Sequence, residues 1–174
     1  NTPEERLGWQ TPWDKSFVAA FDAKTGRRVW TGTRGLSRIA HATPVVVRAG
    51  SQDQIVSIAG DVIQGFDPAT GERLWTVRNS GEGLVPSPVC GGGMVFAASG
   101  FDRLTLRAVR VGGRGDVTAS HVAWEQRKGC PSQPSLLYVA PNLYALGDGG
   151  VLTCYESGTG AVVWQERIGG NFSA

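Results

Sequence analysis

Few side chains in this sequence stand where chemistry could be done, and the most suggestive of them recur by position. Asp22, Asp67 and Glu156 each follow an aromatic residue and each precede a glycine by four positions: Gly26, Gly71 and Gly160. A carboxylate so placed could act as a base or bind a metal. A turn residue that recurs with a period already has a structural role, because it can accept hydrogen bonds from the N–H groups of its own turn. Asp148, in Gly147-Asp148-Gly149-Gly150, reads as a turn residue in the same way. Ser120-His121 lacks a third partner, so no nucleophilic triad is expected. Cys90, Cys130 and Cys154 form no CxxC pair and give no metal signal. They read as buried free thiols, with Cys130 and Cys154 at opposite ends of one sheet and beyond disulfide reach. Arg114-Gly115-Asp116 and the sequon Asn171-Phe172-Ser173 are read as chance occurrences.

The elements that must carry these residues are written in a phrase that occurs three times. Phe21-Asp22-Ala23-Lys24-Thr25-Gly26-Arg27-Arg28-Val29-Trp30 returns as Phe66-Asp67-Pro68-Ala69-Thr70-Gly71-Glu72-Arg73-Leu74-Trp75, and again from Tyr155 to Trp164. Apolar and β-branched runs flank each copy, the signal of two strands joined by a tight hairpin. The glycine supplies the positive φ that a short bulged loop needs. A tryptophan at a fixed offset, a large apolar body with one N–H to satisfy, is best used for packing between neighbouring repeats. A broken fourth copy, with the longer loop Gly112 to Thr118 in place of the turn, still delivers Trp124.

The intervals Trp30–Trp75, Trp75–Trp124 and Trp124–Trp164 are 45, 49 and 40 residues. Repeats of about 40–50 residues with four strands each predict an all-β fold, a β-propeller of four-stranded antiparallel blades. One partial domain is expected over 1–174: a half blade at 17–32, then blades at about 42–78, 87–127 and 133–168. Thr43-Pro44, Ser87-Pro88 and Gln133-Pro134-Ser135 open the three full units, and His41 stands at the entry of an inner strand, near the mouth of the central channel. About three and a half blades predict an internal piece of a larger, eight-bladed ring. Such an arc would leave apolar faces open at its ends, prone to associate.

Composition narrows the function classes. A formal net charge of +2 with dispersed charges provides no basic block for nucleic acid. No apolar run approaches the ~20 residues that span a bilayer. The chain does not begin with Met and shows no signal-peptide pattern.

The phrase resembles the tryptophan-docking motif of the PQQ-like (quinoprotein-type) propeller repeats. Its residues here are Asp22, Gly26 and Trp30; Asp67, Gly71 and Trp75; Trp124; and Glu156, Gly160 and Trp164. The WD40 signature is missing. That resemblance implies one of two functions. The first is a non-catalytic extracytoplasmic scaffold, like the outer-membrane assembly lipoprotein, that binds a protein partner through the propeller face or a blade edge and is periplasmic or secreted. The alternative is part of a dehydrogenase that oxidises alcohols or sugars with pyrroloquinoline quinone (PQQ) and calcium. The apparatus that the alternative implies is a tryptophan stack, a calcium ion with Glu and Asn ligands beside an Asp base and, in many alcohol dehydrogenases, adjacent cysteines. No two cysteines are adjacent here, and Trp9 and Trp13 lie in the leading loop. No cofactor is therefore expected in this stretch, and no catalytic, cofactor or metal residue is assigned.

Overall fold

The computed structural model describes residues 15–35, 37, 40–79, 81, 85–99, 103–170 and 172. Trp9, Trp13 and Asn171 of the sequon lie outside them. Two strands, β1 (Phe17–Phe21) and β2 (Arg28–Thr33), form the first sheet. The second holds β3 (Val45–Ala49), β4 (Gln52–Ile58), β5 (Val62–Phe66) and β6 (Arg73–Arg78). The third holds β7 (Val89–Gly91), β8 (Met94–Ser99) and β9 (Thr105–Arg110). Then come β10 (Gly115–Asp116), the one-turn helix α1 (Thr118–His121) and β11 (Val122–Gln126), which completes the third sheet. The fourth is β12 (Leu137–Val139), β13 (Asn142–Leu146), β14 (Val151–Glu156) and β15 (Val162–Arg167). Consecutive strands within each sheet pair antiparallel, as in the blade of a propeller, and together they make a half blade and three full ones.

The apolar runs are near-continuous because each inner blade is covered on both faces. Alternation along β8 divides its side chains between two cores. Val95 and Ala97 pack with Val56, Trp75 and Val77 of the second blade. Phe96 packs with Leu143, Ala145 and Tyr155 of the fourth. Burying one such side chain contributes about 1.5–3 kcal/mol, so a blade with two covered faces is firmly held. The end blades differ. Of the ten large apolar side chains left exposed among the described residues, eight lie in the first and last sheets, Ile168 directly follows β15, and only Val46 belongs to an inner blade.

A ladder of hydrogen bonds ties the inner strands together. Thr43 N donates to Ser87 Oγ at 3.1 Å, and Ser87 N donates to Ser135 Oγ at 3.2 Å. These residues precede β3, β7 and β12, so one hydroxyl per blade links each inner strand to the next.

Three expectations need correction. The inner strands start two or more residues later than the sequence suggests, because the hydroxyl ladder occupies the lead-in. The stretch after Gly112 is no mere long turn. β10 pairs in parallel with the outer edge of β6, Gly115 opposite Trp75 and Asp116 opposite Thr76, giving the second blade a fifth strand. Nor are all three thiols buried: Cys130 and Cys154 are, whereas Cys90 is exposed, and all three are free.

Candidate binding surface

The recurring acids are spent on their own turns. Asp22 Oδ1 accepts from Thr25 N (2.8 Å), Lys24 N (3.1 Å) and Thr25 Oγ1 (2.7 Å). The Thr25 hydroxyl, followed by the turn amides, holds the Asp22 carboxyl below the usual range. Asp67 Oδ1 accepts from Ala69 N (2.7 Å) and Thr70 N (3.0 Å). Glu156, one methylene longer, takes the Thr159 hydroxyl instead. In all three turns the acid's N–H donates five residues ahead and its C=O accepts from the glycine, at 2.8 Å each. Gly26, Gly71 and Gly160 sit at φ of 69, 76 and 73°, a region closed to most side chains.

These turns are sockets. Trp30 Nε1 donates to Pro68 O of the following blade at 2.9 Å, and Trp124 Nε1 donates to Ser157 O at the same distance. Each indole lies flat on the turn glycine: a Cβ on Gly71 would stand 2.4 Å from the Trp30 ring, and one on Gly160 would stand 2.6 Å from Trp124. Arg73 Nη1 donates to Arg34 O across the first joint (2.8 Å). Gln126 Nε2 donates to Gly160 O across the last (2.9 Å).

Trp75 departs from this scheme. The third blade has no socket to offer, and Trp75 turns back over its own blade. Its N–H donates to Gln54 Oε1 at 2.8 Å, and its ring covers Gly65, where a Cβ would fall 2.1 Å from Nε1. The segment after Gly112 straps this arrangement down. Val117 N donates to Thr76 O (2.9 Å), Arg78 N to Thr118 Oγ1 (2.8 Å) and Arg78 Nε to Asp116 Oδ2 (2.9 Å). The Thr118 hydroxyl and amide, then Arg78, lower the Asp116 pKa to about 2. Arg114, on the other side of Gly115, reaches Glu72 at 3.3 Å. The Arg-Gly-Asp tripeptide is thus bound to the second blade's edge.

Strand alternation puts the turns β4–β5 and β13–β14 and the loops between blades on one face, opposite the sockets. His41 lies on this face, exposed. Asp148 does more there than shape its turn: its carboxylate accepts from Ser132 N (2.9 Å) and Gln133 N (3.1 Å), pinning the loop that leads into the fourth blade. Buried Arg34 sits beside Asp61, and burial lowers its pKa against the pull of that carboxylate. Ser120 Oγ lies 2.8 Å from His121 Nδ1, on an exposed helical turn of the strap. Among the described residues no three His, Cys, Asp or Glu side chains are grouped to hold a metal ion. The four described tryptophans all lie on outer strands, β2, β6, β11 and β15, away from the propeller axis. Burial pushes the Cys130 thiol up to about 11, which disfavours its thiolate at neutral pH.

A family model described as outer membrane protein assembly factor BamB matches residues 59–109, the stretch from the second β-turn of blade two to β9. Over that stretch the chain is similar to a PQQ-like propeller repeat. Solved structures extend the likeness over the whole fold. BamB from Moraxella catarrhalis is 17% identical with a TM-score of 0.64, over 91% of this chain and 44% of that one. Quinohemoprotein alcohol dehydrogenase from Comamonas testosteroni is 14% identical with a TM-score of 0.63, over 91% and 33%. The computationally designed Ika8 protein is 12% identical with a TM-score of 0.62, over 93% and 46%. The chain thus spans under half the length of each. No curated protein matches in sequence.

The acids and tryptophans were visible in the sequence. The residues it did not reveal are Gln54, Gly65, the strap, and the hydroxyls of Ser87 and Ser135. A serine ahead of the inner strand in two successive repeats was the one available signal for the last pair.

Proposed function

We propose that this chain is a non-catalytic, extracytoplasmic scaffold, periplasmic or secreted, that holds a protein partner on the loop-bearing face or along an exposed blade edge. The supporting observation is how the reactive side chains are used. Asp22, Asp67, Asp116 and Asp148 hold turns, the strap and a loop by short hydrogen bonds, and the indoles of Trp30 and Trp124 fasten blade to blade. The surfaces not committed in this way are loops and the outer strand β15, exposed along its whole length. An exposed edge can accept an extended peptide by strand addition, with main-chain bonds supplying affinity. No helix among the described residues is long and apolar enough to cross a membrane.

The likeness to a quinohemoprotein alcohol dehydrogenase keeps a second reading in view, that of a propeller segment from a quinone enzyme. One experiment separates the two. The protein is incubated with pyrroloquinoline quinone and calcium and assayed for dye-linked oxidation of alcohols and sugars, while quinone binding is followed by its absorbance. The scaffold reading expects neither bound quinone nor turnover. Stoichiometric quinone uptake with substrate-dependent dye reduction would replace it with the enzyme.

A further inference from the structure

The strap covers an edge that the second blade would otherwise leave open. Among the described residues every other strand pairing is antiparallel and stays within one blade. Only β10 crosses from the segment of the third blade to lie parallel along β6 of the second. An uncovered outer strand presents unpaired N–H and C=O groups, the template for adding a strand from another chain. Little holds the strap in that place. Val117 is its one buried side chain, in the cluster with Leu74, Trp75 and Val77. The ion pairs Arg78–Asp116 and Arg114–Glu72 join largely exposed side chains, and such pairs contribute little in water. The strap enters through Gly112, Gly113 and Gly115, all at positive φ, and a Cβ at Gly112 or Gly115 would meet nothing within 4 Å. Clefts of about 370 and 330 Å³ flank it, both lined by Leu74 and Arg114.

The strap also spells out what the edge recognises. Backbone pairing sets the register, with Asp116 opposite Thr76 and Val117 N donating to Thr76 O. Asp116 Oδ2 accepts from Arg78 Nε at 2.9 Å. Val117 enters the Trp75 cluster. Thr118 Oγ1 accepts from Arg78 N at 2.8 Å and donates to Asp116 Oδ1 at 2.6 Å. An acid, a β-branched apolar residue and a hydroxyl residue, in that order, therefore satisfy the edge.

We propose that the β6 edge is a partner-binding edge and that the strap occupies it in cis as a displaceable stand-in. The partner is a protein that offers an extended segment reading acid, β-branched apolar residue, Ser or Thr. That segment adds in parallel to β6 once the strap leaves, its acid on Arg78 and its apolar side chain beside Trp75. The proposal rests on the scaffold reading and names its site and its class of ligand. A cis occupant lowers the apparent affinity for the partner in proportion to the fraction of molecules whose edge is open.

The probe is a fluorescein-labelled peptide with the sequence of residues 113–119, followed by anisotropy. It is titrated into the native chain and into Val117→Asp, where a charge in the apolar cluster expels the strap. Circular dichroism checks that the variant folds. Saturable binding to Val117→Asp is expected, tighter than to the native chain by about tenfold or more. Adding Arg78→Ala to that variant should weaken the binding by about tenfold, since it removes the partner of the acid. A second measurement needs no variant. In the native chain the Val117 amide should exchange with solvent much faster than the amides of β5, because the strap opens while the blade stays folded. Equal affinity of the two chains, no binding to a folded Val117→Asp, or a Val117 amide as slow as those of β5 would overturn the proposal. The scaffold reading falls on a different result, quinone uptake with turnover, so the two failures are told apart.

Discussion

Trp124 and Trp75 occupy the same place in successive repeats and are held in opposite ways. Trp124 leans forward onto the Gly160 turn of the next blade and donates to its backbone. Trp75 leans back onto Gly65 of its own blade and donates to a side chain, Gln54. The cause lies in neither tryptophan. The third blade has lost the Thr-Gly turn, and with it the flat glycine surface and the outward carbonyl that an indole needs. What remains is a segment long enough to reach back and add β10 to the second blade. A repeat joint is thus a property of two neighbouring blades, and when one half is lost the other half is repacked.

The comparison can be broken at several points. The largest effect is expected from removing each indole. Trp75→Ala, at a site 1% exposed, should cost about 4–5 kcal/mol, whereas Trp124→Ala, at a half-buried site, should cost about 3 kcal/mol. Urea unfolding of both variants would show the difference, and equal costs would mean that the two joints are energetically alike. The sockets come next. Gly26 and Gly160 share one backbone conformation, but only Gly160 lies under a ring. Gly26→Ala should cost about 1 kcal/mol from conformational strain alone, and Gly160→Ala about 3 kcal/mol from strain and overpacking together. Gln54→Leu leaves the Trp75 N–H buried without a partner and should cost about 2 kcal/mol. The same change should leave the Trp124 joint untouched.

The smallest effect sharpens the account of the strap. Asp116 is held at a pKa of about 2, below its ordinary value. A depressed carboxylate stabilises the folded form above its unfolded pKa, and that contribution disappears as pH falls through the folded value. Strap docking should therefore be constant above about pH 4 and weaken between about pH 4 and 2. Amide protection of Val117, whose N–H is bonded to Thr76 O, would report it. In Asp116→Asn the pH dependence should vanish.

Which of these features could be read from the sequence follows from how far apart the partners lie. The turn aspartates bond to amides two and three residues away and Glu156 to a hydroxyl three residues away, and the glycine φ is set within the same turn, so residue types alone announce them. Trp30 and Trp124 were legible because the period repeats their sockets. The rest depends on long-range meetings. Ser87 is 44 residues from Thr43 and 48 from Ser135, and a serine beside a proline gives no hint of either partner. Gln54 sits 21 residues before Trp75 and looks like any polar strand residue. The loop after Gly112 shows in sequence only as a lost turn. That it folds back as a parallel strand follows from the open edge of β6, which belongs to another blade.

The central claim is that a forward-docked indole, donating to the next blade's turn, fastens this arc. Hydrogen exchange of the Trp124 indole N–H, followed by NMR in the native chain and in Gly160→Ala, tests it most directly. Slow exchange is expected in the native chain, with a large acceleration for Trp124 alone in the variant and Trp75 unchanged. Rapid exchange of the Trp124 indole in the native chain, or no response to the lost socket, would contradict it.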